Sequence, residues 1–579
     1  MELTWVDFVV FVAFMGTVVI VSLYAGRKEQ TSEDYFLAGR KLTWWLIGFS
    51  LIASNISTEH FVGMAGSAFG RIGLAIASYE WMAAICLVFV AWWLLPRFLQ
   101  AGIYTMPEFL EYRYDSETRA IMAVYLMAAY IVVLLAVVLY SGSLAFNAIF
   151  GVPAMLVDRF GVDPDSAELW ANVIGIWGIG IIAGSYTIYG GLKAVVWSDL
   201  LQGGALLLGG AVVTVLGLRL VGGGDLIEGW RTFTAANEGK LHMCLPWNDP
   251  ELPWIAVFIG GLWIPNIFYW GLNQFITQRT LGAKSLAEGQ KGILFAALIK
   301  LCIPLIIVIP GIMAFQLYGD EILALGGNAG DKAYPYMIKQ LLPPSLRGVM
   351  FAALLGAVMS TFNSGLNSAS TIFTVDIYGK YINKSASPHR QVAVGRVATA
   401  VIVVVACLWA PVVGSFQGVF TYIQEIWGFI SPGIVAAFIV GLVVKRAPAV
   451  AGRTALLLAP ILYACSRVPK WTMEGVYDFQ LQTDAEGSSV VRVLDGSGTQ
   501  VVEGFAALYY RFCAIAFLHH MGIVFLVLVA CMLILTKLHP LARPVTMPTS
   551  DLDVRVYPLV YVAGGLVVAA TVGLYAIFW

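Results

Sequence analysis

Fourteen stretches of this chain are apolar, most of them long enough to need no solvent at all. A helix needs roughly 20 apolar residues to cross a bilayer. The stretches are Thr4–Tyr24, Leu42 to about Phe69, Ile76–Leu95, Ala120–Phe150, Leu169–Tyr189, Ala194–Leu220, Trp254–Thr277 and Ile293–Leu317, then Leu346 to about Tyr378, Val392–Val413, Phe420–Val443, the short Ala455–Cys465, Phe512–Thr536 and Tyr557–Trp579. With 59% hydrophobic and 12% charged residues over 579 positions, about half the charge of a soluble domain, the expected fold is an all-α polytopic membrane protein. Net charge is −1, and no basic tail or nucleic-acid motif occurs. No CxxC or Cys/His spacing arises among the seven cysteines, so neither a metal centre nor a structural disulfide is expected. No nucleophile, metal or phosphate-loop motif has a supporting context, so an enzyme is not expected.

Glu2 and Asp7 precede the first apolar run, and Arg27 and Lys28 follow it. That order is the reverse of a signal peptide and places the N-terminus outside. The alternate loops then hold Arg40, Lys41, Arg97, Arg113, Arg119, Lys193, Arg279, Lys284, Lys291, Lys380, Lys384, Arg390, Lys445, Arg446 and Arg453, which reads as positive-inside. An even number of spans puts the C-terminus outside as well. The expected location is the plasma (inner) membrane. An outer insert near 470–504 carries VVRVLDGSGTQVV, two alternating runs around Asp495-Gly496 that predict a hairpin, with a disordered loop as the alternative.

Two spans are interrupted by polar residues. In the second, Ser54, Asn55, Ser57, Thr58, Glu59 and His60 crowd into one run, which is costly at membrane depth unless it faces protein or water. In the seventh, Asn266, Tyr269, Trp270 and Asn273 fall at i, i+3, i+4 and i+7, one helical face, with a break expected just before it at Pro265. That stripe suits a sugar, with amides for hydroxyls and rings for an apolar face; it would equally serve as interhelical glue. Each interrupted span opens a run of five. Five is odd, so two such runs have opposite orientation, the pattern of inverted-repeat transporters with a midplane site. The expected units are residues 1–41, a first repeat 42–221, an outer loop 222–253, a second repeat 254–443 and extra helices 444–579.

Glu80 and Lys300 are ionisable residues within spans. They could pair with each other or hydrogen-bond ligand hydroxyls. Ala357, Ser360 and Thr361 stand at i, i+3 and i+4, two hydroxyls facing a broken helix whose free carbonyls could complete an all-oxygen cage for a hard cation. Hydroxyls bonding back to their own helix are the alternative.

The motifs SLIASNISTEHFVGMAG, GLAIASYEWMAA, GGLKAVVWSDLLQ, GGLWIPNIFYWGLNQFITQRTL, QKGILFAALIKL, FAALLGAVMSTFNSGLNSASTIFTVDIY and FTYIQEIWGFISPGI resemble the sodium/solute symporter family over nearly the whole chain, and most closely its sodium–glucose/galactose branch. The resemblance implies a five-plus-five inverted-repeat core of about 14 helices, broken first helices in each repeat, and Na⁺-coupled symport of a hexose by alternating access. It implies a sodium site of the Ala53, Ile56 and Ala357 carbonyls with the Ser360 and Thr361 hydroxyls, Asp199 lying near the ion's route. It implies sugar contacts from Asn55, His60, Glu80, Asn266, Lys300 and Gln424, an inner gate at Tyr269 with Trp270 beside it, and an outer gate of Met64, Tyr79 and Phe420. Thr361 stands where a serine is common. His60 stands where the bacterial galactose transporter has glutamine, and Ala83 where that protein has a sugar-contacting serine, so glucose and galactose are not distinguished. No organic cofactor is implied; the expected partners are Na⁺, a sugar and the lipid bilayer. Inositol or another polyol, proton coupling through Glu80 or His60, and a sensor or channel on the same fold are the rivals.

Overall fold

The computed structural model describes residues 4–27, 31–326, 329–413, 419–473, 477–483, 489–495, 509 and 512–579. Among them, twelve helices are long and apolar enough to cross a membrane. One of these, Ser166–Val221, is two spans long: it bends at Gly191, whose φ of 53° and ψ of −150° lie outside the helical region. The polar second segment adds a crossing made of two half-helices, Trp44–Asn55 and Glu59–Phe69. The fourteen crossings read from the sequence are therefore present. The twelfth is longer than expected: its helix runs Ala449–Met473, because Pro460 and Pro469 are accommodated within it rather than ending it.

Both interrupted spans break, and they break alike. The first helix stops at Asn55, and Ile56 adopts φ −76° and ψ 113°. In the second, the chain turns extended at Asn273, with φ −87° and ψ 119°, before restarting as Gln274–Leu281. The chain thus leaves the helix twice: between Trp254–Phe258 and Trp263–Ile267, the turn that holds Pro265, just before the stripe as expected, and again seven residues beyond Asn266. Proline near a helix start loses no bond that the turn had. Asn273 consequently leaves the stripe. It caps the next helix, its Oδ1 accepting from Phe275 N at 3.2 Å and from the Tyr130 hydroxyl.

Five stretches are wound as π-helix: Glu59–Met64, Val90–Leu94, Ala129–Leu135, Phe268–Leu272 and Ile372–Ile382. Such turns are uncommon and cluster at functional sites.

Close approach sets the centre of the molecule. A Cβ on Gly203 would lie 2.5 Å from the Ala53 Cβ, so the kinked long helix crosses the first broken helix with backbones nearly touching. That crossing delivers Asp199, one turn earlier, to the hydroxyls of Ser50 and Ser54. The Leu346–Thr371 helix passes the same point and is buried almost throughout.

Three arginines assigned to loops from the sequence are interior. Arg113 is 4% exposed and donates to the carbonyls of Gly441, Val444 and Ala447, at and just beyond the C-terminal end of the Val419–Val443 helix, where helical partners run out. Arg119 is held by Asp376 at 2.7 Å and Glu111 at 2.6 Å. Arg279 is described with the site. The insert near 470–504 does contain paired strands, but they are Tyr477–Thr483 and Ser489–Asp495, antiparallel with Tyr477 opposite Asp495. Asp495 ends the second strand; Gly496 and the run Val501-Val502, on which the expected turn and its far strand fall, lie outside the described residues.

Candidate functional site

Between the two breaks lies a cavity. Asn55, His60 and Glu80 line it from the first repeat, and Asn266, Tyr269, Trp270, Lys300 and Gln424 from the second. All eight side chains singled out for substrate in the sequence border this one space. Met64 and Tyr79 line it too; the Phe420 side chain lies outside the described residues. Pro265 and Thr361 border it as well; the sequence reading missed Ser57, Glu59, Leu134, Phe268, Ile423 and Trp427, which complete the walls. Glu59 was in the polar run, but nothing in its spacing separates a wall residue from a helix-packing one. Trp427 has no local signal at all: it reaches the cavity by packing 5.4 Å from Phe268.

Asn55, His60, Glu80, Tyr269 and Lys300 form one connected set. Lys300 Nζ lies 2.5 Å from Glu80 Oε2 and also donates to Asn55 Oδ1. The other Glu80 oxygen faces His60 Nε2 at 3.3 Å, while His60 Nδ1 accepts from Ser57 N at 3.5 Å. That arrangement puts the imidazole proton on Nε2. Asn55 Nδ2 donates to the Tyr269 hydroxyl at 3.2 Å, so the last residue before one break holds the π turn before the other. Lys300 also sits 4.8 Å from the centre of the Trp270 ring, and Tyr269 meets Trp270 edge-on at 5.2 Å. The set offers donors, acceptors and an aromatic wall to a small polar molecule. Glu80 and Lys300 are 3% and 0% exposed, yet both face the cavity, so a ligand can reach the pair that bulk solvent does not.

Tyr79 and Gln424 face two spaces. On their other side lies a second cavity, bordered by Ser67, Ile72, Glu251 and Arg467. Tyr79 and Gln424 therefore stand in the partition between the two.

Beneath the first cavity is a second polar cluster, fully buried. Asp199 Oδ1 accepts from Ser360 Oγ at 2.5 Å, and Oδ2 accepts from Ser50 at 2.5 Å, from Ser54 at 3.1 Å and from Arg279 Nη2 at 3.2 Å. Arg279 spends its remaining donors on Ser50 Oγ at 2.6 Å, the Phe275 carbonyl at 2.6 Å and the Ser364 hydroxyl. Asp199 and Arg279 are 0% and 1% exposed. The sequence reading named Asp199 and put Arg279 in a loop; six residues after a break, Arg279 instead ends a buried helix.

Ser360 Oγ is also 3.1 Å from the Ala53 carbonyl, and Thr361 Oγ1 is 3.1 Å from the Ser54 carbonyl. The Ala53 and Ser54 carbonyls belong to the last turn before the break, where helical partners run out. A hydroxyl has one proton. With that of Ser360 given to the Asp199 carboxylate, the stronger acceptor, Ser360 Oγ and the Ala53 oxygen face each other as two acceptors. Ala357 lies one turn before Thr361 on the same helix, buried at 2% exposure, and Ile56, at 1%, is the residue that turns extended.

Residues 35–161 and 165–455 match the sodium:solute symporter family. A sodium/glucose cotransporter of Vibrio parahaemolyticus is 44% identical over 463 residues, 77% of this chain and 82% of the relative. Sodium/myo-inositol cotransporter 2 of Oryctolagus cuniculus is 34% identical over 469 residues, 76% of this chain and 66% of the relative. Among solved structures, a Na⁺-coupled sialic acid symporter in a substrate-bound outward-open state superposes with a TM-score of 0.72 at 21% identity, covering 94% of this chain and 99% of that one.

Proposed function

This chain belongs to the sodium:solute symporter family, and on that premise we propose that its solute is a hexose, glucose or galactose, carried with Na⁺ by alternating access. It is a sodium-coupled transporter of the membrane and not an enzyme. The observation that carries the hexose reading is the convergence of Asn55, His60, Glu80, Asn266, Lys300 and Gln424 on one cavity with Trp270 and Tyr269 along its wall. A sugar hydroxyl donates and accepts at once. Glu80 takes its proton, Lys300 and the amides approach its lone pairs, and the ring's apolar face lies on the aromatic side chains. The Glu80–Lys300 bond is exchanged for bonds to substrate, so neither charge is left alone in either condition.

Na⁺ is the second substrate. The carbonyls of Ala53, Ile56 and Ala357 with the hydroxyls of Ser360 and Thr361 supply oxygens, the ligands hard cations favour. Asp199 orients Ser360 by taking its proton. A cation there ties the first broken helix to the Leu346–Thr371 helix and fixes Asn55, two residues from Ala53, for sugar. The two bindings are then coupled through one half-helix. Tyr269, bonded to Asn55, is the inner gate; Met64 and Tyr79 with Phe420 are the outer one. With both termini outside and the membrane negative within, each Na⁺ that enters gains about 2.3 kcal/mol per 100 mV.

Inositol is the second reading, favoured by the myo-inositol cotransporters among the relatives: a ring of hydroxyls suits the same donors and acceptors. Uptake into proteoliposomes under an inward Na⁺ gradient, with glucose, galactose and inositol against a K⁺ control, decides. Concentrative Na⁺-dependent uptake of a hexose is expected; accumulation of inositol alone replaces the hexose reading, and none for any solute removes both. Thr361→Ala should raise the Na⁺ concentration for half-maximal uptake severalfold while leaving the order of sugars unchanged. Unchanged sodium activation would remove Thr361 from the cage.

A further inference from the structure

We propose that the groove between the Pro388–Val413 helix and the π-wound ends of its neighbours is a binding site for one anionic glycerophospholipid, an acyl chain in the groove and the headgroup phosphate on Arg390. The groove has a volume of about 460 Å³ and is bordered on one side by Ala393, Val394, Val397 and Val401 and on the other by Ile131 and Phe373. Arg390 is its one charged lining residue. A hollow of a few hundred cubic ångströms is the size of a ligand site and not of a packing gap.

The walls say which end is which. The helix segment 393–405 rises about 18 Å, close to the roughly 15 Å depth of one leaflet's hydrocarbon. Every residue of this segment that lines the groove is aliphatic, and Val397 and Val401 are 64% and 55% exposed on a helix that crosses the membrane. Lipid is the solvent for such a surface. Arg390 stands at the helix's first turn, one turn before Ala393, and its backbone N–H is capped by Ser387 Oγ at 3.3 Å.

Charge names the headgroup. Between Asp376 and Glu425 the sequence has no acidic residue, while Lys380, Lys384, Arg390 and Arg396 fall within it. Lys380 is engaged by Glu111, and Arg396 donates to the Tyr189 carbonyl at 3.2 Å. Lys384, His389 and Arg390 are exposed. The first turn of the helix carries no acid, so positive side chains crowd its positive end, which an anion relieves. Taking this loop as cytoplasmic, as proposed above, the groove opens to the leaflet that holds anionic lipid, and basic pockets between helices on that side select such headgroups.

The test uses the full chain, purified and delipidated in a neutral detergent, with added phosphatidylglycerol, phosphatidylcholine or inorganic phosphate. Thermal unfolding and native mass spectrometry are the readouts. Phosphatidylglycerol should raise Tm by several degrees and remain bound as a single lipid, phosphatidylcholine should give under half that shift, and phosphate none. Arg390→Gln should bring phosphatidylglycerol down to the phosphatidylcholine shift. Ala393→Phe, which fills the groove from an exposed position, should abolish bound lipid while Na⁺-driven uptake persists. Equal shifts from the two lipids in the unaltered protein, a shift from phosphate alone, or a phosphatidylglycerol shift that survives both substitutions would overturn the assignment. So would efficient disulfide cross-linking of Val397→Cys between two copies, which would make the face a protein interface.

Discussion

Two of the buried ion pairs in this transporter, Glu80–Lys300 and Asp199–Arg279, differ in what surrounds them. Glu80–Lys300 borders the cavity with His60 and Asn55 as its other neighbours. Asp199–Arg279 lines none of the cavities described above, and four serines and a backbone carbonyl take up its remaining valences. A buried pair is costly to assemble, and it is costlier still to leave one member alone. Against a cavity, the pair can trade partners with a ligand. Within a closed shell it can only hold its place, here joining the first broken helix, the kinked long helix, the end of the second broken helix and the serine-bearing helix. The contrast separates a site that exchanges bonds from a joint that keeps the two repeats in register.

The sharpest way to break the contrast is to remove one charge from each. Arg279→Gln should be the larger injury. It strands Asp199, which is fully buried, a loss of about 3–5 kcal/mol, read as a large fall in Tm in detergent or failure to recover monodisperse protein. Arg279→Lys should restore little, because one ammonium cannot reproduce the fork that reaches Ser50, Ser364 and Asp199 together. Lys300→Gln should fold with a far smaller change in Tm, since water in the cavity can solvate Glu80, yet lose tenfold or more in sugar affinity, as expected for a lost charged hydrogen bond of about 1.5–3 kcal/mol. Isothermal titration on the folded variant measures it. If Lys300→Gln proves as unstable as Arg279→Gln, the two pairs are the same kind of joint.

The smallest effect belongs to a third pair outside the spans. Arg71 reaches Asp249 at 2.6 Å from a half-exposed position. Burial pushes the Asp249 carboxyl up, but the hydrogen bonds from Arg71 and from the backbone N–H groups of Leu252 and Glu251, with the Arg71 charge, outweigh it and hold it below the ordinary value of 3.8. Its stabilisation is thus complete above that ordinary value and is lost as pH falls through the lower folded one. Solvent screens the Arg71 side, so Asp249→Asn should cost about 1 kcal/mol or less at neutral pH. Its Tm should converge on that of the unaltered protein below pH 3.8. A gap that persists in acid would assign the effect to the loop's backbone bonds instead.

How much of this was visible in the sequence depends on how local each cause is. The crossings and both interruptions were legible, because polar residues inside apolar runs are anomalous in themselves. The convergence of Asn55 on Lys300, 245 positions away, followed from no spacing; the family resemblance carried it. Arg113, Arg119 and Arg279 were misplaced because counting positive charges cannot tell a solvated arginine from one fastened to Val444, Asp376 or Asp199. Pro265 pointed correctly to the interruption between Phe258 and Trp263, since proline is tolerated near the start of the turn that follows, but no local signal marked the second break at Asn273. The pairing of Ser489–Asp495 with an upstream strand was not legible, because the Asp495-Gly496 signal points only downstream.

The π turns have a consequence for how such a transporter changes over evolutionary time. One residue is worth about 100° of helical rotation, and a π turn is a place where one residue is already stored. Three of them, Glu59–Met64, Ala129–Leu135 and Phe268–Leu272, contribute His60, Met64, Leu134, Tyr269 and Trp270 to the cavity. Losing a single codon there would not delete a wall so much as swivel it, presenting a different set of side chains to the solute in one step. Chemistry that point substitution would have to rebuild residue by residue can be redialled by a change in length, and a helix wheel drawn straight through any of these turns misjudges which residues share a face.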